Sequence, residues 1–304
     1  MFRAAIDLGT QTCLLLVVEW DASSHQVKQV LADEARMVRL GEGVDQGRAF
    51  QLAPMHRALA CLKEYAKRVG EFEISPDSVV CVATSQARDA KNSQEFFLQV
   101  QSETGFRFQV ISGEQEAQVT FLGALLPGMD PAHTCVIDIG GGSTEIISRE
   151  GVESVNLGSV RFTERFLKSD PVTDAEFRAC QFAIDEELRV FLPWRSKLVA
   201  NPTLVAVAGT ATTLAAWNLN LQRFDPAQVD AVVLSRDAVC QKVEELKRRT
   251  LYERKALPCM EPLRADVILA GAMILWRVLE LLQFSECRVS TRGLRYGLLQ
   301  KALF

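Results

Sequence analysis

The sequence predicts an α/β protein built from two related domains. Three observations carry this. Strand-like and helix-like stretches alternate along the whole chain. The length, 304 residues, suits roughly two domains at ~150 residues each. One local pattern also occurs twice, far apart: strand, Asp, apolar residue, Gly, hydroxyl-rich turn, strand. It reads A-A-I-D-L-G-T-Q-T from Ala4 and V-I-D-I-G-G-G-S-T-E from Val136. A repeat of this kind points to sibling units. The loop Pro127–Pro131 is the natural boundary, giving domains at 1–126 and 127–291.

The second copy is the richer one. Thr134 to Ile137 form a buried strand, Asp138 follows, and Gly140, Gly141 and Gly142 precede Ser143, Thr144 and Glu145. Three glycines within a sheet lose much chain entropy on folding. They make sense where the backbone must approach something closely, and a run of amides in such a turn can cradle an anion. Asp138 and Glu145 flank the turn. Carboxylates beside a phosphate repel it unless a cation lies between, and Mg²⁺ (or Mn²⁺) suits that oxygen-donor setting. In the first copy, Asp7 takes the place of Asp138, and Thr10, Gln11 and Thr12 form the turn. Two such hairpins imply a shared phosphate-binding cleft.

Composition narrows the classes. Hydrophobic residues make up 48% and charged residues 24% of the chain, with a formal charge of −4. This is a globular protein, with no general affinity for nucleic acid or a membrane surface. The N-terminus lacks the features of a signal peptide and no apolar run reaches the ~18 residues of a membrane span. Eight cysteines without a C-x-x-C spacing read as reduced thiols in a cytoplasmic protein. Only His25, His56 and His133 are present, so the chemistry rests on carboxylates, backbone and metal.

Taken in order, the elements are as follows. After the first hairpin, His25–Leu40 reads as a strand. Leu52, Met55, Leu59, Leu62, Ala66 and Val69 then mark one face of a helix, with Pro54 in its first turn and Gly70 as its stop. Ser78–Ala83 is a short strand whose carboxyl end leads to Arg88, which suits either an anion ligand or a cap for the next helix. Asn92–Ser102 is helical and Phe106–Ile111 is a strand. A turn at Ser112–Gly113 opens a helix to about Leu126. Glu114 and Glu116 in its first turn suit the helix dipole, and a carboxylate there could also act as general base on a water.

Beyond the second hairpin, Val152–Leu157 reads as a strand and a short helix runs to Lys168. Thr173–Lys197 reads as one long helix capped by Thr173. The strand Leu204–Ala208 enters Gly209-Thr210, a third turn suited to an anion. Val229–Leu234 reads as a strand, Arg236–Arg249 as a helix, and Arg264–Phe284 as a long apolar helix. A strand closing at Val289 and a last helix end the chain.

Seven stretches in order resemble the exopolyphosphatase and guanosine pentaphosphate phosphohydrolase (Ppx/GppA) phosphatase family. They are A-A-I-D-L-G-T-Q-T at Ala4, I-S-G-E-Q-E-A at Ile111, V-I-D-I-G-G-G-S-T-E at Val136, L-G-S-V-R-F-T-E-R-F at Leu157, A-G-T-A-T-T-L-A at Ala208, R-A-D-V-I-L-A-G at Arg264 and S-T-R-G-L-R-Y-G at Ser290. The resemblance implies two RNase H-like domains, the fold shared with actin, sugar kinases and heat-shock ATPases, closing on a phosphate cleft. It also implies a C-terminal helix, about 292–304, returning to the first domain. By position it makes Glu116 the catalytic base and Asp138 and Glu145 metal-linked carboxylates, with Asp7 joining them through the repeat. Gly140, Gly141, Gly142 and Ser143 fall on the phosphate loop. Thr10, Gln11, Thr12, Arg88, Gly209, Thr210 and Arg264 are the further phosphate contacts. The chain resembles a short form without the helical C-terminal domain of longer members, and the family implies a homodimer.

The expected activity is metal-dependent hydrolysis of the terminal phosphate of inorganic polyphosphate, releasing orthophosphate. Guanosine pentaphosphate (pppGpp) is the alternative substrate. A kinase of the same fold would show itself by ATP-dependent phosphorylation of an added metabolite, and an actin-like assembling protein by nucleotide-dependent light scattering.

Overall fold

The computed structural model describes residues 1–23, 26–198 and 201–300. It divides into two compact units. The first holds Met1–Gly123 together with the chain from Leu294 onward, and the second holds Ala124–Gly293.

The first unit begins with the antiparallel strands β1 (Phe2–Leu8), β2 (Thr12–Asp21) and β3 (Gln26–Met37). His25, expected to open the third strand, lies outside the described residues. A short helix α1 (Val44–Gly47) leads to the amphipathic α2 (Leu52–Gly70). Gly70 is the last helical residue and does not stop the helix by itself. The reversal falls three residues later, where Glu73 adopts φ 57° and its amide returns to the Gly70 carbonyl at 3.0 Å. Then come β4 (Val80–Ala83), α3 (Ser85–Asp89), α4 (Ser93–Thr104), β5 (Phe108–Val110) and α5 (Gly113–Ala124).

The sheet order is β3-β2-β1-β4-β5. Alternation along β1 sorts the two faces. Ile6 and Leu8 pack toward α2 and α4, with Leu59, Leu62, Phe96 and Val100. Ala5 faces the other way, with Leu16, Val18 and Trp20. The last helix, α14 (Leu294–Gln300), covers that second face with Leu294, Tyr296, Leu298 and Leu299. It is locked by Arg295, which donates to both oxygens of Asp33 at 2.9 Å, and by Tyr296 OH to the same carboxylate at 3.1 Å. Residues 301–304 of the expected helix lie outside the described residues.

The second unit repeats this plan. It contains β6 (Thr134–Ile139), β7 (Thr144–Ser148), β8 (Gly151–Val155) and α6 (Ser159–Phe166). These are followed by α7 (Asp174–Leu188), α8 (Phe191–Arg195), β9 (Thr203–Val207) and α9 (Ala208–Asn218). Next are α10 (Pro226–Asp230), β10 (Val233–Ser235), α11 (Arg236–Arg248), α12 (Leu251–Lys255), α13 (Ile268–Leu281) and β11 (Glu286–Val289). The order β8-β7-β6-β9-β11-β10 matches the first sheet strand for strand, with β10 added at the edge. Three antiparallel strands followed by two parallel ones define the RNase H-like plan in both units, and this is a mixed α/β fold with two sheets.

Three expectations are corrected. Thr173 caps α7 through a reciprocal capping box with Glu176, but the helix does not run to Lys197. Pro193 has no N–H to give the Arg189 carbonyl and its ring crowds that position, so the chain breaks and restarts as α8 with Pro193 in its first turn. Val229 is helical, because Asp225 caps α10 and Pro226 occupies its first position. The apolar helix starts at Ile268, so Arg264 lies in the hydrogen-bonded turn before it.

Candidate active site

In the first unit the three parallel strands β1, β4 and β5 are in register, with Leu8 opposite Ala83 and Ala83 opposite Val110. Their carboxyl ends therefore lie side by side, where open α/β sheets bind ligands. The loops leaving them are Gly9–Thr12, Thr84–Arg88 and Ile111–Glu116.

The first of these closes with the Gly9 amide on the Thr12 carbonyl at 2.9 Å. The Thr10 carbonyl accepts from the Gly41 amide, and the Gln11 carbonyl from the amides of Val38 and Arg39, each at 2.9 Å. The carbonyls are thus tied back to the segment after β3. Gly41 permits this, since a Cβ there would lie 2.3 Å from Thr10 Cγ2 and 2.5 Å from Gln86 Cγ. The Thr12 hydroxyl is turned onto Met37 Sδ at 3.7 Å.

Glu116 lies in the first turn of α5 and is buried. A reciprocal cap starts that helix: the Ser112 hydroxyl accepts from the Gln115 amide at 3.1 Å, and Gln115 Oε1 accepts from the Ser112 amide at 3.0 Å. Glu114 is exposed and accepts only from Gln118 at 3.4 Å among the described residues. Arg88 Nη1 donates to Glu116 Oε2 at 2.9 Å and to the Ile111 carbonyl at 2.8 Å. The Thr84 hydroxyl donates to the same carboxylate and sits 4.0 Å from where a Gly9 Cβ would be. Burial pushes the Glu116 carboxyl above the ordinary carboxylate range. The Arg88 charge and the bonds from Arg88 and Thr84 oppose that rise without cancelling it.

In the second unit β6, β9 and β11 are likewise parallel neighbours. The Gly140 amide closes its hairpin on the Ser143 carbonyl at 3.0 Å, the counterpart of Gly9 and Thr12. Helix α6 seals the other side. The Ser159 amide reaches the Gly140 carbonyl at 3.0 Å, the Val160 amide the Gly141 carbonyl at 2.9 Å, and Arg161 Nε the Gly142 carbonyl at 2.8 Å. With the carbonyls engaged, the turn presents its amide side. Among the described residues no backbone carbonyl takes the amides of Gly141, Gly142 or Ser143.

Asp138 and Glu145 are cross-strand partners, so their side chains share a face of the hairpin. Glu145 is buried and accepts from the Ser154 hydroxyl at 2.8 Å. The matching partner of Asp7 is Leu14, so the first hairpin has a lone acid at the position where the second has a facing pair.

Gly209, Thr210 and Arg264 are also brought together, in an arrangement the sequence did not suggest. Ala208 takes φ 65° to turn β9 into α9, a backbone conformation that costs a non-glycine residue energy. Arg264 Nη1 donates to the Gly209 carbonyl at 3.1 Å and to Thr213 Oγ1 at 2.7 Å. A Cβ on Gly209 would stand 2.7 Å from the guanidinium carbon. Thr210 turns its side chain to α13, its hydroxyl 2.3 Å from where a Gly271 Cβ would be. Its side chain therefore packs, and the ligand-binding capacity of this turn lies in its backbone.

Among the described residues no group of three or more His, Cys, Asp or Glu side chains assembles to hold a metal. The donors present suit a hard cation all the same. Asp138 and Glu145 offer only oxygen on one face, and Mg²⁺ is commonly held by one or two carboxylates with waters and substrate phosphates completing the shell. The eight cysteines are unpaired, and burial pushes Cys135, Cys180 and Cys287 up to about 12.

Thr84, Gly158 and Arg161 were missed by the site prediction. Gly158 lets α6 meet the glycine turn, since a Cβ there would lie 2.3 Å from the Gly141 carbonyl oxygen. The G-S-V-R spacing was visible, but its target lay across the sheet.

A duplicated RNase H-like plan, a glycine turn whose amides meet no backbone carbonyl among the described residues and a buried acid fit a phosphoryl-handling enzyme. The chain belongs to the Ppx/GppA phosphatase family, which it matches over residues 16–303; it is a phosphoanhydride hydrolase. It is 36% identical to exopolyphosphatase 2 of Mycobacterium tuberculosis over 290 residues, covering 89% of this chain and 88% of the relative. It is 29% identical to a bifunctional 3-dehydroquinate synthase/phosphatase of Fusobacterium nucleatum, covering 91% of this chain. The chain spans 43% of that relative's length. The solved PPX-GPPA enzyme of Aquifex aeolicus superposes with a TM-score of 0.80 at 32% identity, covering 99% of both chains.

Proposed function

We propose that the protein is an exopolyphosphatase, removing the terminal phosphate of inorganic polyphosphate as orthophosphate. The observation that carries this reading is Glu116, a buried carboxyl gripped by Arg88 and Thr84 and held above the ordinary range. A base serves best when its proton affinity approaches the working pH. In this reading Glu116 takes a proton from the attacking water. In the second unit the amides of Gly141, Gly142 and Ser143 bind phosphate oxygens, aided by the turn at Gly209–Thr210; the turn at Thr10–Thr12 is the corresponding phosphate contact of the first unit. Phosphoryl transfer asks chiefly for such positioning and charge neutralisation. Within the second unit, Asp138 and Glu145 would hold a divalent cation, which when bound would supply Lewis-acid neutralisation of phosphate charge.

Polyphosphate is favoured over pppGpp on two grounds. The exopolyphosphatase relative aligns over nearly the full length of both chains. The turns of the candidate site, Gly9–Thr12, Thr84–Asp89, Ile111–Glu116, Gly140–Ser143 and Ala208–Thr212, contain no aromatic residue to stack on a purine. Phosphate release from the two substrates, measured side by side, tests this. The expectation is a higher kcat/KM on polyphosphate. A higher value on pppGpp would reverse the assignment, and ATP-dependent phosphorylation of a metabolite without phosphate release would point to a kinase.

A further inference from the structure

Arg88 was expected to meet substrate phosphate directly. Its contacts give it another task. The guanidinium spends Nη1 twice, on the Ile111 carbonyl at 2.8 Å and on Glu116 Oε2 at 2.9 Å. The first bond anchors it to the carboxyl end of β5 and the second reaches the first turn of α5. Arg88 itself sits on α3, at the carboxyl end of β4. One planar group thus fixes the distance between two loops and holds the acid between them. The pair is sheltered, with the side chains 27% and 11% exposed, so the contact is not a screened surface ion pair.

We infer that Arg88 is a positioning residue for the base: it pins the Glu116 carboxyl by one oxygen against the Ile111 carbonyl, and Thr84 completes the same grip. This rests on the reading of Glu116 as the general base. The groups facing Glu116 within its unit are Arg88 from α3, the Thr84 hydroxyl at the end of β4 and the Ile111 carbonyl behind Arg88; Glu114 on its own helix is turned to Gln118. Arg88 is the one cation in that set. Without it the desolvated acid holds its proton to higher pH, and the active, ionised form becomes scarcer below that point.

The test compares kcat and KM against pH for wild type, Arg88→Met, Arg88→Lys, Thr84→Val and Glu116→Gln, on a short polyphosphate with Mg²⁺. Arg88→Met is expected to lose ~10–10²-fold in kcat, less than the ~10²–10⁴-fold of losing the base itself, with KM changed less than about threefold as expected when ground-state binding is spared. Its acid limb moves to higher pH. Arg88→Lys keeps the charge without the two-point grip, so its limb lies nearer wild type while kcat stays reduced. Thr84→Val shifts the limb in the same direction by less. An unmoved limb with KM raised ~10-fold or more would make Arg88 a substrate ligand only, and overturn the inference. Wild-type turnover in Glu116→Gln would instead remove the base itself, a separate failure. If Arg88→Met unfolds, the limb and kcat of Arg88→Lys decide the matter on their own.

Discussion

At the scale of single residues, the proposed base Glu116 is where stability and activity are expected to conflict. Its folded-state proton affinity is raised by burial, so its favourable contribution is complete below the unfolded carboxyl range and is lost as pH rises through the folded value. At neutral pH the ionised acid therefore costs stability, and Glu116→Gln is expected to keep or raise Tm while turnover falls. Measuring Tm at pH 5 and pH 8 checks the sign: the advantage of the variant should be larger at pH 8. For the wild type, kcat should decline on acidification at a pH above the normal carboxylate range, because protonated Glu116 cannot accept a proton.

At the scale of elements, two glycines set how closely helices approach the site. A Cβ on Gly158 would lie 2.3 Å from the Gly141 carbonyl oxygen, and one on Gly297 would lie 1.9 Å from the Val119 carbonyl oxygen. Neither clash can be relieved by a side-chain rotation. Gly158→Ala should push α6 off the glycine turn, and Gly297→Ala should part α14 from α5, the helix that carries Glu116. Each should destabilise by ~1–3 kcal/mol, the usual range for overpacking, as read by urea denaturation. Gly158→Ala should also raise KM. Wild-type stability in both would mean that the helices can shift freely.

The elements also show how far the sequence could be read. The α2 helix followed from its three-and-four spacing, and the Thr173 cap from its residue type, because both are local. The break at Pro193 and the short α10 were equally local, but their signals were outweighed by the run of apolar residues around them. The hairpins were visible because their pattern occurs twice. The grip on Glu116 was not visible. Thr84, Arg88, Ile111 and Glu116 meet because β4 and β5 lie in parallel register, and no spacing along the chain encodes that. Arg264 falls on phosphate by resemblance; that its guanidinium lies against the Gly209 turn, where a Cβ would meet it, was not legible in the sequence.

At the scale of the whole molecule, the two units share one strand order, and each places glycine or hydroxyl turns at the carboxyl ends of parallel strands. They have diverged in chemistry. The first has Leu14 opposite Asp7 and holds the buried Glu116; the second has the facing pair Asp138 and Glu145. In the proposed reading the base lies in the first unit and the facing pair of candidate cation donors in the second. Chelation with EDTA should abolish phosphate release, and Asp138→Asn or Glu145→Gln should raise the Mg²⁺ concentration needed for half-maximal rate while leaving the acid limb of Glu116 in place. The first unit also depends on the far end of the chain, since α14 covers Ala5, Leu16, Val18 and Trp20. Ending the chain at Gly293 should expose that face and cost the first unit its cooperative unfolding transition, observable by calorimetry.

The most direct measurement of the central claim is the single-turnover rate of orthophosphate release from polyphosphate by Glu116→Gln beside wild type. The account predicts a rate lower by ~10²–10⁴-fold, the range for a lost general base, with substrate binding and Tm retained. A rate within a few-fold of wild type would contradict it.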